Sequence, residues 1–253
     1  MRMHLLAAGR LRMRKSIFLP DADRTETIEL PVMSALIRHT QANVLFDTGC
    51  HPTVPEDPAA RWGSLAKIMT PIMASGDNVL TGLAALGLTP DDIDVVVNSH
   101  LHTDHCGCNA FFPNATFIAH ALEIEAARAA TGDMTGYIAA DWESADKLDA
   151  IASERDLFGD GRLVLIHTPG HTPGSIAGLV QLDRSGRMLL AGDTVCLQET
   201  LATGIIPRNT WNAEALAQSL AEVRRIAASG TTIIASHDAT QWETLRKGAD
   251  AYD

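Results

Sequence analysis

Short runs of aliphatic residues, each closed by polar or turn-forming positions, recur at 3–8, 32–39, 43–49, 93–99, 115–120, 162–167, 175–182, 187–193 and 231–237. Runs this short and this rich in Val, Ile and Leu read as strands. "DRSG" at 183–186 supplies a hairpin turn between two of them. Between the runs, apolar residues at helical spacing predict helices over 63–73, 78–86, 121–130, 141–152 and 212–228. The last is the clearest. Asn212 caps it, Glu214 comes early, Arg224 and Arg225 come late, and Leu216, Leu220, Val223 and Ala227 share one face. Strands cluster in both halves with helices after each cluster, which predicts an α/β (α+β) protein of two packed sheets with helices outside. No Pro/Ser/Gly tract, charge block or repeat interrupts the 253 residues, so a single domain over 1–253 is expected.

The run at 93–99 opens directly into "SHLHTDHCGCN", which holds three of the chain's 10 histidines. Side chains leaving one strand end at 100, 102, 104 and 105 can converge on a small volume. Neutral imidazoles with a carboxylate are what a divalent transition metal accepts. A structural zinc site is normally closed with cysteine, whereas a His-and-carboxylate set suits a catalytic site with an open position. Three further strand ends repeat the chemistry: "LVLIHTPGHTPGS" delivers His171, "RMLLAGD" delivers Asp193 and "TTIIASH" delivers His237.

Composition narrows the partners. The formal charge is −11, and the basic cluster "RLRMRK" at 10–15 stands alone, which weighs against nucleic acid, bound mainly through Lys and Arg. With 46% hydrophobic and 20% charged residues the chain can bury a substantial core. "MRMHLLAAGR" lacks the apolar length of a secretory signal, and no segment approaches the roughly 18 to 20 apolar residues that span a bilayer. A cytoplasmic protein without a membrane partner is expected. Cys50, Cys106, Cys108 and Cys196 show no disulfide-framework spacing, as suits a reducing compartment.

His100, His102, Asp104 and His105 together form an HxHxDH motif, and with the later His171, Asp193 and His237 the chain resembles the metallo-β-lactamase superfamily along nearly its whole length. That resemblance implies a four-layer αββα sandwich with metals at one edge of the sheets. It implies a first metal on His100, His102 and His171, a second on Asp104, His105 and His237, and Asp193 bridging them. Seven ligands are too many for one tetrahedral ion and suit two divalent ions, zinc before iron, cobalt or manganese, with positions open for a bridging hydroxide and substrate. His102 stands where the flavodiiron branch carries a glutamate, which favours hydrolysis over redox chemistry. Ribonuclease Z-like nucleases share the motif, but the acidic balance opposes them.

"LPVMSALIRH", "LTPDDIDVVVNSHLHTDHCG" and "SHDATQWETLRKG" resemble the branch of N-acyl-homoserine lactonases and pyridoxolactonase. This implies a small lactone or ester substrate, attack by a metal-bridging hydroxide, catalytic roles for Asp104 and Asp193, Asp104 carrying a proton to the leaving oxygen, and an optional homodimer. A glyoxalase II-like thioester hydrolase is the alternative. It uses the same ligands but usually appends a C-terminal helical region bearing basic residues, and with only Arg246 and Lys247 after His237 that region is expected to be essentially missing. A non-catalytic metal-binding protein is a weaker rival, because no ligand is lost.

One position departs from the branch. Three residues after the bridging aspartate those lactonases carry a carbonyl-polarising tyrosine, and this chain has Cys196, a weak donor that reads as a small buried residue. Cys106 and Cys108 read as structural, as do His120 and His167. Asp47 is a candidate acceptor for the outer nitrogen of a ligating imidazole. Trp62, Met69, Ile72 and Met73 read as core before pocket lining or subunit contact, while "TGYIAADW" and "GIIPRNTW" stay open as loops.

Overall fold

The computed structural model describes residues 1–74, 76–132, 134–143 and 147–253. The first sheet comprises β1 (Arg2–Arg14), β2 (Thr27–Arg38), β3 (Asn43–Phe46), β4 (Thr70–Pro71), β5 (Val95–Val97), β6 (Thr116–His120) and β7 (Leu148–Ile151), in the order β4-β1-β2-β3-β5-β6-β7. The second comprises β8 (Arg155–Asp156), β9 (Leu163–His167), β10 (Ile176–Leu182), β11 (Gly186–Leu190) and β12 (Thr232–Ile234), in the order β12-β11-β10-β9-β8. The helices are α1 (Pro58–Trp62), α2 (Val79–Ala85), α3 (Thr103–Cys106), α4 (Ala121–Ala129), α5 (Ala139–Trp142), α6 (Gln198–Thr203), α7 (Ala213–Ala228) and α8 (Ala239–Thr244).

Alternation along the strands builds the layers, because successive side chains point to opposite faces. Leu5, Ile37, Val44, Phe46 and Val97 face inward onto Leu165, Ile176, Val180 and Leu190 of the second sheet. Their neighbours Leu6, Leu36, Leu45 and Val96 face outward and pack with Leu83 of α2 and Trp62 of α1. On the far side, Leu216, Leu220 and Val223 of α7 cover Ala177 and Leu189. Helices thus lie outside both sheets, as the hydrophobic pattern requires.

Two expected helices are corrected. The stretch 63–73 forms a 3-10 turn (Gly63–Lys67) and then β4, which pairs Leu11 with Pro71 and Arg12 with Thr70. Trp62, Met69 and Met73 are buried in the core beside β1, and Ile72 is half-buried, so an apolar run that looks helical locally is shaped by the sheet it covers. The stretch 141–152 holds the end of α5 and then β7, paired in parallel with β6; residues 144–146 of it lie outside the described residues. Among the described residues no helix is long and apolar enough to cross a membrane. The basic cluster is answered by its neighbours: Arg10 and Arg12 both pair with Glu29, and Lys15 with Glu26.

Candidate metal centre

The site forms where β3, β5, β9, β11 and β12 end. Asp47 follows β3 in a left-handed conformation (φ 59°), one that aspartate tolerates better than most residues. From there its carboxylate accepts from the Ser99 amide (2.7 Å), the Ser99 hydroxyl (2.7 Å) and His105 Nδ1 (2.9 Å). The last bond fixes the His105 tautomer, leaving Nε2 to face the centre. His237 is set the same way: Nδ1 donates to the Pro31 carbonyl at 2.9 Å and Nε2 points inward. His102 caps the one-turn helix α3, which carries Asp104 and His105.

The inward atoms converge. His102 Nδ1 lies 3.0 Å from His100 Nε2 and 3.1 Å from His171 Nε2. Asp193 Oδ1 is 3.2 Å from His105 Nε2 and 3.1 Å from His237 Nε2, and its Oδ2 is 3.4 Å from His171 Nε2. Asp104 Oδ2 is 3.7 Å from both His105 Nε2 and His237 Nε2. Within each of three groups, His100/His102/His171, His100/His105/Asp193 and Asp104/His105/His237, the donor atoms lie within 4.8 Å of one another. All seven residues expected as ligands are therefore gathered in one volume.

The donor set fits divalent cations. A ring nitrogen carries either one N–H or one lone pair and can pair with one neighbour at a time, yet His102 Nδ1 faces both His100 Nε2 and His171 Nε2, and Asp193 Oδ1 faces both His105 Nε2 and His237 Nε2. Cations accept all of these lone pairs at once, and an N/O set suits zinc, iron, cobalt or manganese. Protonation tendencies divide the site. Burial, joined by neighbouring imidazoles, holds His100 and His102 well below the usual imidazole pKa, and burial lowers His171 too. For His105 and His237 burial is outweighed by the carboxylates around them, Asp193 foremost, so both are raised. Asp193 is conversely held well below the usual carboxylate range, the facing imidazoles His237, His105 and His171 overcoming its burial.

Residues 27–235 match the sequence profile of the Metallo-beta-lactamase superfamily. The chain belongs to that superfamily. Among metallo-β-lactamase superfamily proteins, it is 30% identical to the N-acyl homoserine lactonase AttM of Azorhizobium caulinodans, over 100% of this chain and 98% of that one. It is 34% identical to the N-acyl homoserine lactonase AiiB of Agrobacterium fabrum, over 89% and 86%. The fold matches the crystal structure of an N-acyl homoserine lactone hydrolase with N-hexanoyl-L-homoserine bound at its catalytic metal centre, with a TM-score of 0.89 at 23% identity, covering 99% and 98% of the two chains. It also matches the dizinc quorum-quenching lactonase AidC, with a TM-score of 0.73 at 16% identity, covering 94% and 87%.

Cys196 lies behind Asp193, fully buried, with its thiol 3.5 Å from the Asp193 carbonyl and its pKa pushed well up by burial and the Asp193 charge. Cys106 and Cys108 are likewise buried free thiols, donating to the carbonyls of Leu101 and Cys50. No tyrosine takes the place that Cys196 occupies. Tyr137 is beside His102, ring centroids 4.8 Å apart, but its hydroxyl donates to Glu123 at 3.0 Å, and Tyr252 pairs with Met3 at the other end of β1. Cys196→Ala is expected to leave metal content and turnover close to wild type, checked by elemental analysis and steady-state rates. Loss of metal would put the thiol among the ligands, and loss of turnover alone would make it catalytic.

His120 and His167 stack face to face (3.9 Å, 5°) away from the ligand set, His167 Nε2 donating to the Pro173 carbonyl. Reading the sequence missed two supports of the ligand loop. Thr103 donates to the buried Asp141, which also pairs with Arg61, while Trp62 Nε1 donates to Thr103 at 3.0 Å. Burial raises Asp141 to a pKa of about 6 against the lowering pull of Thr103 and Arg61. The second support is Glu123, completely buried, on the same face of α4 as Ile124 and Ala127. A glutamate on an apolar stripe was the available signal.

Proposed function

We propose that this chain hydrolyses a small lactone, an N-acyl homoserine lactone or a related ring, using two zinc ions held by the seven gathered ligands. The observation that carries this reading is a pocket of about 530 Å³ lined by His102 and His171 together with apolar side chains, among them Leu65, Ile68, Met69 and Ala129, and with a polar stretch at Arg208, Asn209 and Thr210. Such a cavity takes an acyl chain while the polar end of the substrate meets the centre. Two divalent cations, when bound, supply Lewis acidity toward the ester oxygen and a water of lowered pKa. His100, His102 and His171 would hold one cation and Asp104, His105 and His237 the other, with Asp193 placed to serve both groups. Asp104, with 13% of its side chain exposed against 6% for Asp193, is the carboxylate that carries a proton to the leaving oxygen. Four buried, unpaired cysteines support a cytoplasmic location.

The thioester alternative asks for cations at the pocket. Lys247 Nζ instead donates to the carbonyls of Trp242 and Leu245, and Arg246 stacks on Tyr252 and donates to Ser185. Neither lines the cavity; Arg208, which does, donates to the carbonyls of Ser16 (3.1 Å) and Pro20 (3.0 Å).

The test is a panel of short- and long-chain N-acyl homoserine lactones, aromatic lactones, lactoylglutathione and phosphodiesters with metal-replete enzyme. Lactone turnover is expected, with kcat/KM rising about fourfold per added methylene until the pocket fills, since burying a CH₂ is worth about 0.8 kcal/mol. Turnover confined to lactoylglutathione or phosphodiesters would overturn the assignment.

A further inference from the structure

We infer that Glu123 is a positioning residue that sets the mutual spacing of His100, His102 and His171, and of those three only. The inference rests on the metal-centre reading above and is independent of the substrate. Glu123 Oε1 accepts from the Leu101 amide (3.0 Å) and the Tyr137 hydroxyl (3.0 Å), and Oε2 accepts from the Gly174 amide (3.1 Å). Each donor belongs to a segment that presents or touches one of the three imidazoles. Leu101 lies between His100 and His102, and Gly174 lies in the loop that carries His171. Tyr137 packs its ring against His102.

Close backbone approaches show that these segments are fitted to one another. A Cβ on Gly174 would fall 2.3 Å from the Glu123 amide nitrogen and 2.4 Å from its Cβ, so only glycine lets the His171 loop sit on the glutamate. Beside Tyr137, a Cβ on Gly136 would fall 2.6 Å from His102 Cδ2, while the Gly136 carbonyl accepts from the Thr103 amide at 2.9 Å. Among the described residues no cation forms a salt bridge with Glu123, so its two oxygens answer to these three donors. The helix that carries it has its own apolar anchorage, Ile124 and Ala127 packing with Leu101, Ala119 and Trp142.

The second ligand group is held by other means. Asp47 fixes His105, and the Pro31 carbonyl fixes His237. Disturbing Glu123 should therefore loosen one cation and spare the other. Glu123→Gln keeps the volume but replaces one acceptor by a donor, which leaves at least one of the three N–H or O–H groups facing it unpaired. Outer-shell changes of this kind typically cost about 10- to 100-fold in metal affinity.

The experiment challenges cobalt-loaded wild type, Glu123→Gln and Tyr137→Phe with rising dipicolinate, following retained metal and the cobalt absorption bands. Wild type should release its two equivalents at high chelator. Glu123→Gln should release one equivalent at roughly 10- to 100-fold lower chelator and the other at the wild-type concentration. Tyr137→Phe, which leaves both backbone donors in place, should weaken the same equivalent by a smaller factor. Wild-type release of both equivalents from either variant, or equal weakening of both, overturns the inference, and the tyrosine variant decides it if the glutamine variant does not fold. A wild-type protein that never takes up two equivalents would instead overturn the metal-centre reading itself.

Discussion

Asp193→Ala is expected to strip metal from the purified protein and to abolish turnover. Of the seven gathered side chains, Asp193 is the one whose two oxygens face both groups, Oδ2 at 3.4 Å from His171 and Oδ1 at 3.1–3.2 Å from His237 and His105. It is buried, and alanine in its place offers neither oxygen nor charge to the two groups. Removing it takes away one of the two carboxylates gathered in this volume, Asp104 being the other, and the contact that ties the two groups together. The loss should exceed the roughly 10- to 100-fold that removal of a residue standing behind a ligand produces. Elemental analysis after dialysis and single-turnover rates at saturating metal check the two parts separately. Two tightly held equivalents in the variant would show that Asp193 is not a shared ligand, and unaltered kcat would remove it from the catalytic machinery.

Gly107→Ala is expected to be the most damaging methyl group that can be added to the ligand loop. Gly107 has ordinary helical angles (φ −58°, ψ −27°), so the cost is not conformational. It is steric: a Cβ there would lie 2.6 Å from the His51 nitrogen, 2.6 Å from the Thr103 carbonyl oxygen and 2.7 Å from the Gly49 carbonyl oxygen. All three are backbone atoms, and none can rotate away. Here the segment after β3 is bonded to the ligand helix, the amides of Thr48 and Gly49 donating to the His105 carbonyl at 2.7 and 3.1 Å. Relieving the clash must move one segment against the other. Overpacking costs about 1–3 kcal/mol and occasionally more, and the upper end is expected where only backbone is available to yield. For a chain of this size 3 kcal/mol lowers Tm by roughly 6 to 12 °C. The displaced helix should also weaken metal binding at Asp104 and His105. Thermal melts of the metal-free and metal-loaded protein test this, and an unchanged melting temperature would show that the loop accommodates the methyl group.

The hydrophobic pattern by itself determined the central strands of the two facing sheets, though not the edge strands β4, β7 and β8, because alternation is a local property of extended backbone. Leu5 and Leu6, or Val96 and Val97, sort to opposite faces whatever else surrounds them. It likewise placed His100, His102, Asp104 and His105 together, since six residues after a strand end have little room to separate. Tertiary structure decided where the pattern is ambiguous. The apolar stretch 63–73 satisfies a helical period, yet burial of Met69 and Met73 against β1 and pairing of Pro71 with Leu11 fold it into a turn and a strand. Leu148–Ile151 becomes a strand because β6 offers an open edge in parallel register. The convergence of His171, Asp193 and His237 on the first motif, and the meeting of Leu101, Tyr137 and Gly174 on Glu123, depend on how two sheets and a helix pack. Those residues stand tens of positions apart in the chain, and a sequence period carries no information about contacts at that separation.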